Sequence, residues 1–236
     1  MLQSTIIKYK GSDHMPVSPA SLRLYFVMGS QDCKGRDPVW VLREAIHGGI
    51  TMFQFREKKS SLTLSQRVFL GKKLRDLCAR QGIPFIVNDR TDLAMVLNAD
   101  GVHVGQEDLP AVQVRRLLGP KPMLGVSCGN PEEADKATQA GADYIGVGSM
   151  YATRSKPDAG EPIGPSAIRQ IARMDNSSLP IVGIGGIHHH NAKAVIQAGA
   201  EGIAVISAIA GASSPRQAAA ELRETVERTL MEQQAI

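Results

Sequence analysis

Short apolar runs separated by amphipathic stretches recur along the chain. Runs rich in β-branched and aromatic residues fall near 23–28, 51–55, 85–88, 101–104, 123–127, 143–147, 180–184 and 202–206. Each is too short for a helix and is bounded by turn formers, so each predicts a strand. The intervening stretches repeat at helical spacing instead. Leu70, Leu74, Leu77 and Cys78 form one stripe ahead of Gly82, and Ala218, Leu222, Val226 and Leu230 form another. Asp37-Pro38, Asn130-Pro131 and Ser214-Pro215 each read as an N-cap followed by proline at the first helical position.

One unit of this pattern repeats almost literally. Ala99-Asp100-Gly101-Val102-His103-Val104-Gly105 has counterparts in Ala142-Asp143-Tyr144-Ile145-Gly146-Val147-Gly148 and in Ala200-Glu201-Gly202-Ile203-Ala204-Val205-Ile206. Gln139-Ala140-Gly141-Ala142 likewise recurs as Gln197-Ala198-Gly199-Ala200. Each is the end of a helix running into a short apolar strand, so the architecture is periodic βα. Eight such units make either an open doubly wound sheet or a closed barrel. No Gly-rich dinucleotide fingerprint follows the first strand, which favours the barrel. The predicted fold is therefore α/β, a single (β/α)8 TIM barrel over residues 22–236. Residues 1–21 are polar and unpatterned, and are expected to be a flexible leader or a vector-derived remnant.

Composition narrows the function classes. A chain of 236 residues with 43% apolar content suits one barrel core. The formal charge of +4 is small, its Lys and Arg are dispersed, and only 4% of residues are aromatic, so no nucleic-acid surface is expected. There is no apolar run long enough for a membrane span and no signal-peptide pattern at the N-terminus, so the chain reads as cytoplasmic, with no membrane partner. Cys33, Cys78 and Cys128 are odd in number and form no CxxC pair, which argues against disulfides and a zinc site. A homo-oligomer is compatible with the sequence but not specified by it.

In a βα barrel the reactive groups sit where strands end and βα loops begin. There the second strand yields Gln54, Arg56 and Lys58, the third Asn88 and Asp89, the fourth Asp108 and the fifth Ser127. The sixth yields Thr153, Ser155 and Lys156, the seventh Gly186, and the eighth Ile206 and Ser207. Asp89 and Asp108 end adjacent strands, so their carboxylates can converge on one Mg²⁺, a hard ion commonly held by one or two carboxylates with substrate oxygens and water. The competing reading has Asp108 capping a helix that begins near Pro110 and Asp89 starting a turn. Arg56, Lys58 and Lys156 stand where a diphosphate bridging that ion would lie, although surface Lys and Arg are more often plain solvated charges. Gly183-Ile184-Gly185-Gly186 lets an anion approach backbone amides at the rim of strands seven and eight, the usual barrel phosphate site. His188-His189-His190 lacks chelating spacing and reads as a solvated loop. Cys128 has no identifiable base and reads as a buried small residue.

Gln54-Phe55-Arg56-Glu57-Lys58, Val87-Asn88-Asp89, Val102-His103-Val104-Gly105-Gln106-Glu107-Asp108, Gly125-Val126-Ser127, Thr153-Arg154-Ser155-Lys156 and Val182-Gly183-Ile184-Gly185-Gly186-Ile187 together resemble the thiamine phosphate synthase family. The resemblance runs in order from about Leu24 to Leu230. It implies a transferase that joins a hydroxymethylpyrimidine diphosphate to a thiazole phosphate, or to its carboxylated precursor, and releases pyrophosphate. The implied mechanism is dissociative and Mg²⁺-assisted. Carried over residue by residue, it assigns Gln54, Arg56, Lys58, Asn88, Ser127 and Lys156 to the pyrimidine diphosphate and Asp89 and Asp108 to Mg²⁺. Arg56, Lys58, Ser127 and Lys156 are the expected catalytic groups. Thr153, Ser155, Gly186, Ile206 and Ser207 fall to the thiazole phosphate. Ser155 stands where Thr is common in the family, which keeps the hydroxyl.

Two rivals remain at this stage. A thiazole tautomerase of the same fold needs no diphosphate site, and the joint presence of Arg56, Lys58, Asn88, Asp89, Asp108 and Lys156 argues against it. A non-catalytic sensor of thiamine phosphate needs the phosphate grip but not both carboxylates.

Overall fold

The computed structural model describes residues 17–58, 60–156, 160–174 and 179–235. Eight parallel strands close into one barrel in sequence order: β1 (Leu24–Met28), β2 (Met52–Phe55), β3 (Phe85–Asn88), β4 (Gly101–Val104), β5 (Met123–Cys128), β6 (Tyr144–Val147), β7 (Ile181–Ile184) and β8 (Gly202–Val205). Each boundary lies within one residue of its predicted window. Closure is made by β1 pairing with β8, with Tyr25 opposite Ala204. Helices α1 (Pro38–His47), α2 (Leu64–Arg80), α3 (Thr91–Leu97), α4 (Ala111–Leu118), α5 (Pro131–Gln139), α6 (Pro165–Ala172) and α7 (Ala192–Gln197) follow the first seven strands. After β8 come a short α8 (Ser207–Ala210) and a long α9 (Pro215–Gln234).

The predicted caps are made. Asp37, Asn130 and Ser214 accept backbone amides at the starts of α1, α5 and α9, which satisfies N–H groups that a helix leaves unpaired. The repeated acidic position before a strand also has a physical role. Asp100 accepts the Phe85 amide at 2.8 Å and Asp143 accepts the Leu124 amide at 2.7 Å, so each pins the start of the preceding strand.

Apolar side chains segregate into two layers. One lies between sheet and helices and includes Phe26, Phe53, Phe55 and Phe85; the other fills the lumen with Tyr25, Val27, Met52, Ile86, Tyr144 and Val182. Residues 1–16 of the expected leader lie outside the described residues. Its last part is built into the molecule: Val17 is buried against the lumen cluster, and Pro19–Leu22 forms a 3-10 turn across the N-terminal end of the barrel. No helix among the described residues is long and apolar enough to cross a membrane.

Candidate active site

At the opposite, C-terminal end, polar side chains reach the lumen because strand alternation aims every second residue inward. Gln54 on β2 and Arg56 just past it are 4% and 6% exposed, far too buried to be ordinary surface groups. Two adjoining hollows open on this rim. The outer one has a volume of about 340 Å³ and is lined by Thr153, Ser155, Gly186, Ile206 and Ser207 among others. The inner one, about 40 Å³, is lined by Gln54, Arg56 and Asn88 together with Tyr25 and His103. Ser127 and Lys156 line both.

Beside these hollows stands a charged cluster. Lys58 Nζ lies 2.9 Å from an Asp89 carboxylate oxygen and 3.9 Å from one of Asp108. Asp89 adopts a left-handed backbone (φ 60°), an uncommon conformation for a residue with a side chain, and its amide donates to the His103 carbonyl at 2.8 Å. Asp108 does not cap α4, whose cap position, Pro110, receives no side-chain hydrogen bond. Its carboxylate accepts the Gly105 amide at 2.8 Å instead. Burial and then the hydrogen bond to Asp108 raise Asp89 above the ordinary carboxylate range, against the pull of Lys58. Burial also acts to raise Asp108, but the hydrogen bond from Asp89, the Gly105 amide, Lys58 and Lys156 together hold it below that range. Two carboxylates brought together at one strand-end rim offer paired hard-oxygen donors of the kind a divalent cation takes. That donor set fits an ion whose remaining ligands come from substrate and water. Among the described residues no group of three or more His, Cys, Asp or Glu side chains could hold a metal alone.

The outer hollow is built for an anion. Gly185 and Gly186 have φ values of +102° and +63°, and a Cβ on Gly186 would fall 2.6 Å from the Ala152 carbonyl. Only glycine lets this loop lie against the segment that carries Thr153. Across the hollow, Ile206, Ser207 and Ala208 are the cap and first residues of α8, and Ile206 makes no side-chain cap bond. Amides at a helix start without a side-chain partner are donors open to an anionic ligand. Arg36 and Lys34 donate to the Ala210, Ala212 and Gly211 carbonyls at the far end of this short helix, which fixes its position.

Each residue singled out from the sequence lies in one of these three places. Other candidates behave as the bland readings expected: His188, His189 and His190 are exposed, although His188 also lines the outer hollow. Cys128 is buried and donates to the Val126 carbonyl, and burial pushes its thiol up to about 12. Sequence reasoning missed Tyr25, His103 and Tyr144, which form a hydrogen-bonded group beneath the inner hollow. The one signal was a histidine alternating with valines in an apolar strand.

The family profile described as thiamine monophosphate synthase matches residues 24–209. The chain is 52% identical over 206 residues to a thiamine-phosphate synthase of Geobacillus thermodenitrificans, covering 87% of this chain and 92% of that one. A thiamine-phosphate synthase of Moorella thermoacetica is 50% identical over 205 residues, covering 87% and 96%. Among solved structures, a thiamine phosphate pyrophosphorylase from Pyrococcus furiosus superposes with a TM-score of 0.80 at 38% identity, covering 90% of this chain and 98% of that one.

Proposed function

This chain belongs to the thiamine monophosphate synthase family, a family of transferases, and on that premise we propose that it condenses a hydroxymethylpyrimidine diphosphate with a thiazole phosphate. The observation that carries this reading is that two hollows of different chemistry share Ser127 and Lys156, so two substrates can be held in contact there. The pyrimidine ring docks at the mouth of the inner hollow, with Gln54, Asn88 and Ser127 as polar contacts. Its diphosphate extends toward Arg56, Lys58 and Lys156. The outer hollow takes the thiazole phosphate, with the anion against Gly186, Ile206 and Ser207 and the hydroxyls of Thr153 and Ser155.

Asp89 and Asp108 would hold Mg²⁺, which when bound supplies charge neutralisation to the diphosphate oxygens. The chain's own residues do the rest. Arg56 grips oxygens with a planar fork, and Lys58 and Lys156 add point charges, so negative charge developing on a departing pyrophosphate is stabilised where it forms. Loss of pyrophosphate leaves a pyrimidinylmethyl cation, which the thiazole nitrogen captures. Holding the thiazole beside that carbon supplies the orientation term, and no protein nucleophile is needed.

Thiamine phosphate formation from the two substrates, followed with and without Mg²⁺, tests the reading. Product with pyrophosphate release only in the presence of the ion is the expected result. Isomerisation of the carboxylated thiazole alone, with no pyrophosphate released, would overturn it in favour of a tautomerase. Asp89→Ala should cost on the order of 10²–10³-fold in kcat while leaving thiazole phosphate affinity within about twofold. Equal loss of both would point to a ligand sensor.

A further inference from the structure

A continuous chain of hydrogen bonds crosses the barrel lumen from Gln54 to Ser127. Gln54 Nε2 donates to Tyr25 Oη at 2.7 Å, and Tyr25 Oη lies 2.9 Å from Tyr144 Oη. Tyr144 Oη is 3.2 Å from His103 Nδ1, and His103 Nε2 is 3.0 Å from Ser127 Oγ. Tyr25, Tyr144, His103 and Gln54 are all buried, so water does not compete for these groups. The rings fit because two neighbours lack side chains. A Cβ on Gly125 would fall 2.4 Å from His103 Nδ1 and from Tyr144 Oη, and one on Gly146 would fall 3.0 Å from His103 Cε1.

Donor and acceptor counting allows this chain two directions, because a phenol oxygen can accept twice and Tyr25 can take the Tyr144 proton as well as the Gln54 amide. In the direction that runs from Gln54 to Ser127, Tyr25 donates to Tyr144. Tyr144 in turn sends its proton to His103 Nδ1. A neutral imidazole carries one N–H, so the proton sits on Nε2 and is donated to Ser127 Oγ. The Ser127 proton is then left to point into the hollows.

We propose that Tyr25, Tyr144 and His103 are positioning residues whose hydrogen-bond chain locks Ser127 as a donor to the bound heteroaromatic ring, so that the inner hollow selects a ring presenting an acceptor nitrogen at that point. This rests on the reading that the pyrimidine docks at the mouth of the inner hollow. The chain also ties Ser127 to Gln54, whose amide oxygen stays available to accept from an exocyclic amine. A ring with an acceptor nitrogen and an amine donor, as in an aminopyrimidine, matches both ends, whereas a ring with those polarities exchanged meets two like groups. Mismatch of that kind is costly in a site that excludes water.

The test combines a spectroscopic and a kinetic readout. Nitrogen-15 NMR of the histidines in the ligand-free protein should show His103 protonated at Nε2 and bare at Nδ1. In Tyr144→Phe, which removes one hydroxyl and keeps the ring, Nδ1 loses its donor. The Nε2–H preference should weaken, and KM for the pyrimidine diphosphate should rise about tenfold with that for the thiazole phosphate unchanged. Tyr25→Phe should leave the His103 tautomer as it is, because Tyr144 can still donate to Nδ1, while also raising KM for the pyrimidine diphosphate through Gln54. An Nδ1-protonated His103 in the wild type overturns the proposal whether or not the variants fold. Equal changes in both KM values, or none in a folded Tyr144→Phe, also overturn it. Failure of the wild type to form thiamine phosphate would sink the synthase reading instead and would leave the tautomer result standing.

Discussion

His103 is held without charge in the lumen. Burial is the main cause, the positive charge of Lys156 adds to it, and together they lower its pKa from the ordinary 6.5 to about 3. Between those two pH values the unfolded chain takes up a proton that the folded chain refuses. Stability is therefore complete above about pH 6.5 and declines as pH falls toward 3, by up to about 1.4 kcal/mol per pH unit from this residue. Urea midpoints measured from pH 7 to pH 4 should fall more steeply for wild type than for His103→Gln, and parallel curves would show that the residue titrates alike in both states. Asp89 gives a different lesson at the same scale. Its position at a strand end was legible in the sequence. Its left-handed backbone and its approach to Asp108 were not, because they depend on His103 and Asp108, residues from a different βα unit.

Among the elements, the loop after β7 and the short helix after β8 together shape the phosphate end. Gly186→Ala should strain the backbone by about 1–2 kcal/mol and drive its methyl toward the Ala152 carbonyl. Steady-state kinetics should then show KM for the thiazole phosphate raised several-fold or more, with KM for the pyrimidine diphosphate little changed. A matching rise in both would mean that the loop's shape serves the whole rim and not one subsite. The Gly-rich loop was visible as a run of glycines past an apolar strand. Helix α8 was not, because one turn leaves no periodicity to detect and Ile206 reads as the end of the strand before it. Long helices such as α2 and α9 were legible for the opposite reason: their apolar stripes, and the Ser214-Pro215 start of α9, are local features.

Across the whole molecule, the two ends of the barrel divide stability from chemistry. Leu22 is fully buried in the plug at the N-terminal end, and the turn that carries it passes so close to β8 that a Cβ on Gly202 would fall 1.8 Å from the Leu22 carbonyl oxygen. Leu22→Ala should cost about 2–5 kcal/mol in denaturant unfolding, while kcat of the folded variant at 25 °C stays near wild type. A fall in kcat matching the stability loss would show that the plug bears on the active rim. By itself the sequence determined the period of the strands, the helix faces, the count of βα units and the identity of the residues at the strand ends. Each of those is written within a few residues of itself, through the alternation of buried and solvated positions. Only the tertiary structure decided which of those residues meet. Tyr25 and Tyr144 lie 119 positions apart and touch because closure of β1 against β8 curls the sheet until opposite strands face across one lumen. Contacts of that kind depend on barrel closure, on the register between strands and on the room left by Gly125 and Gly146, none of which a local pattern encodes.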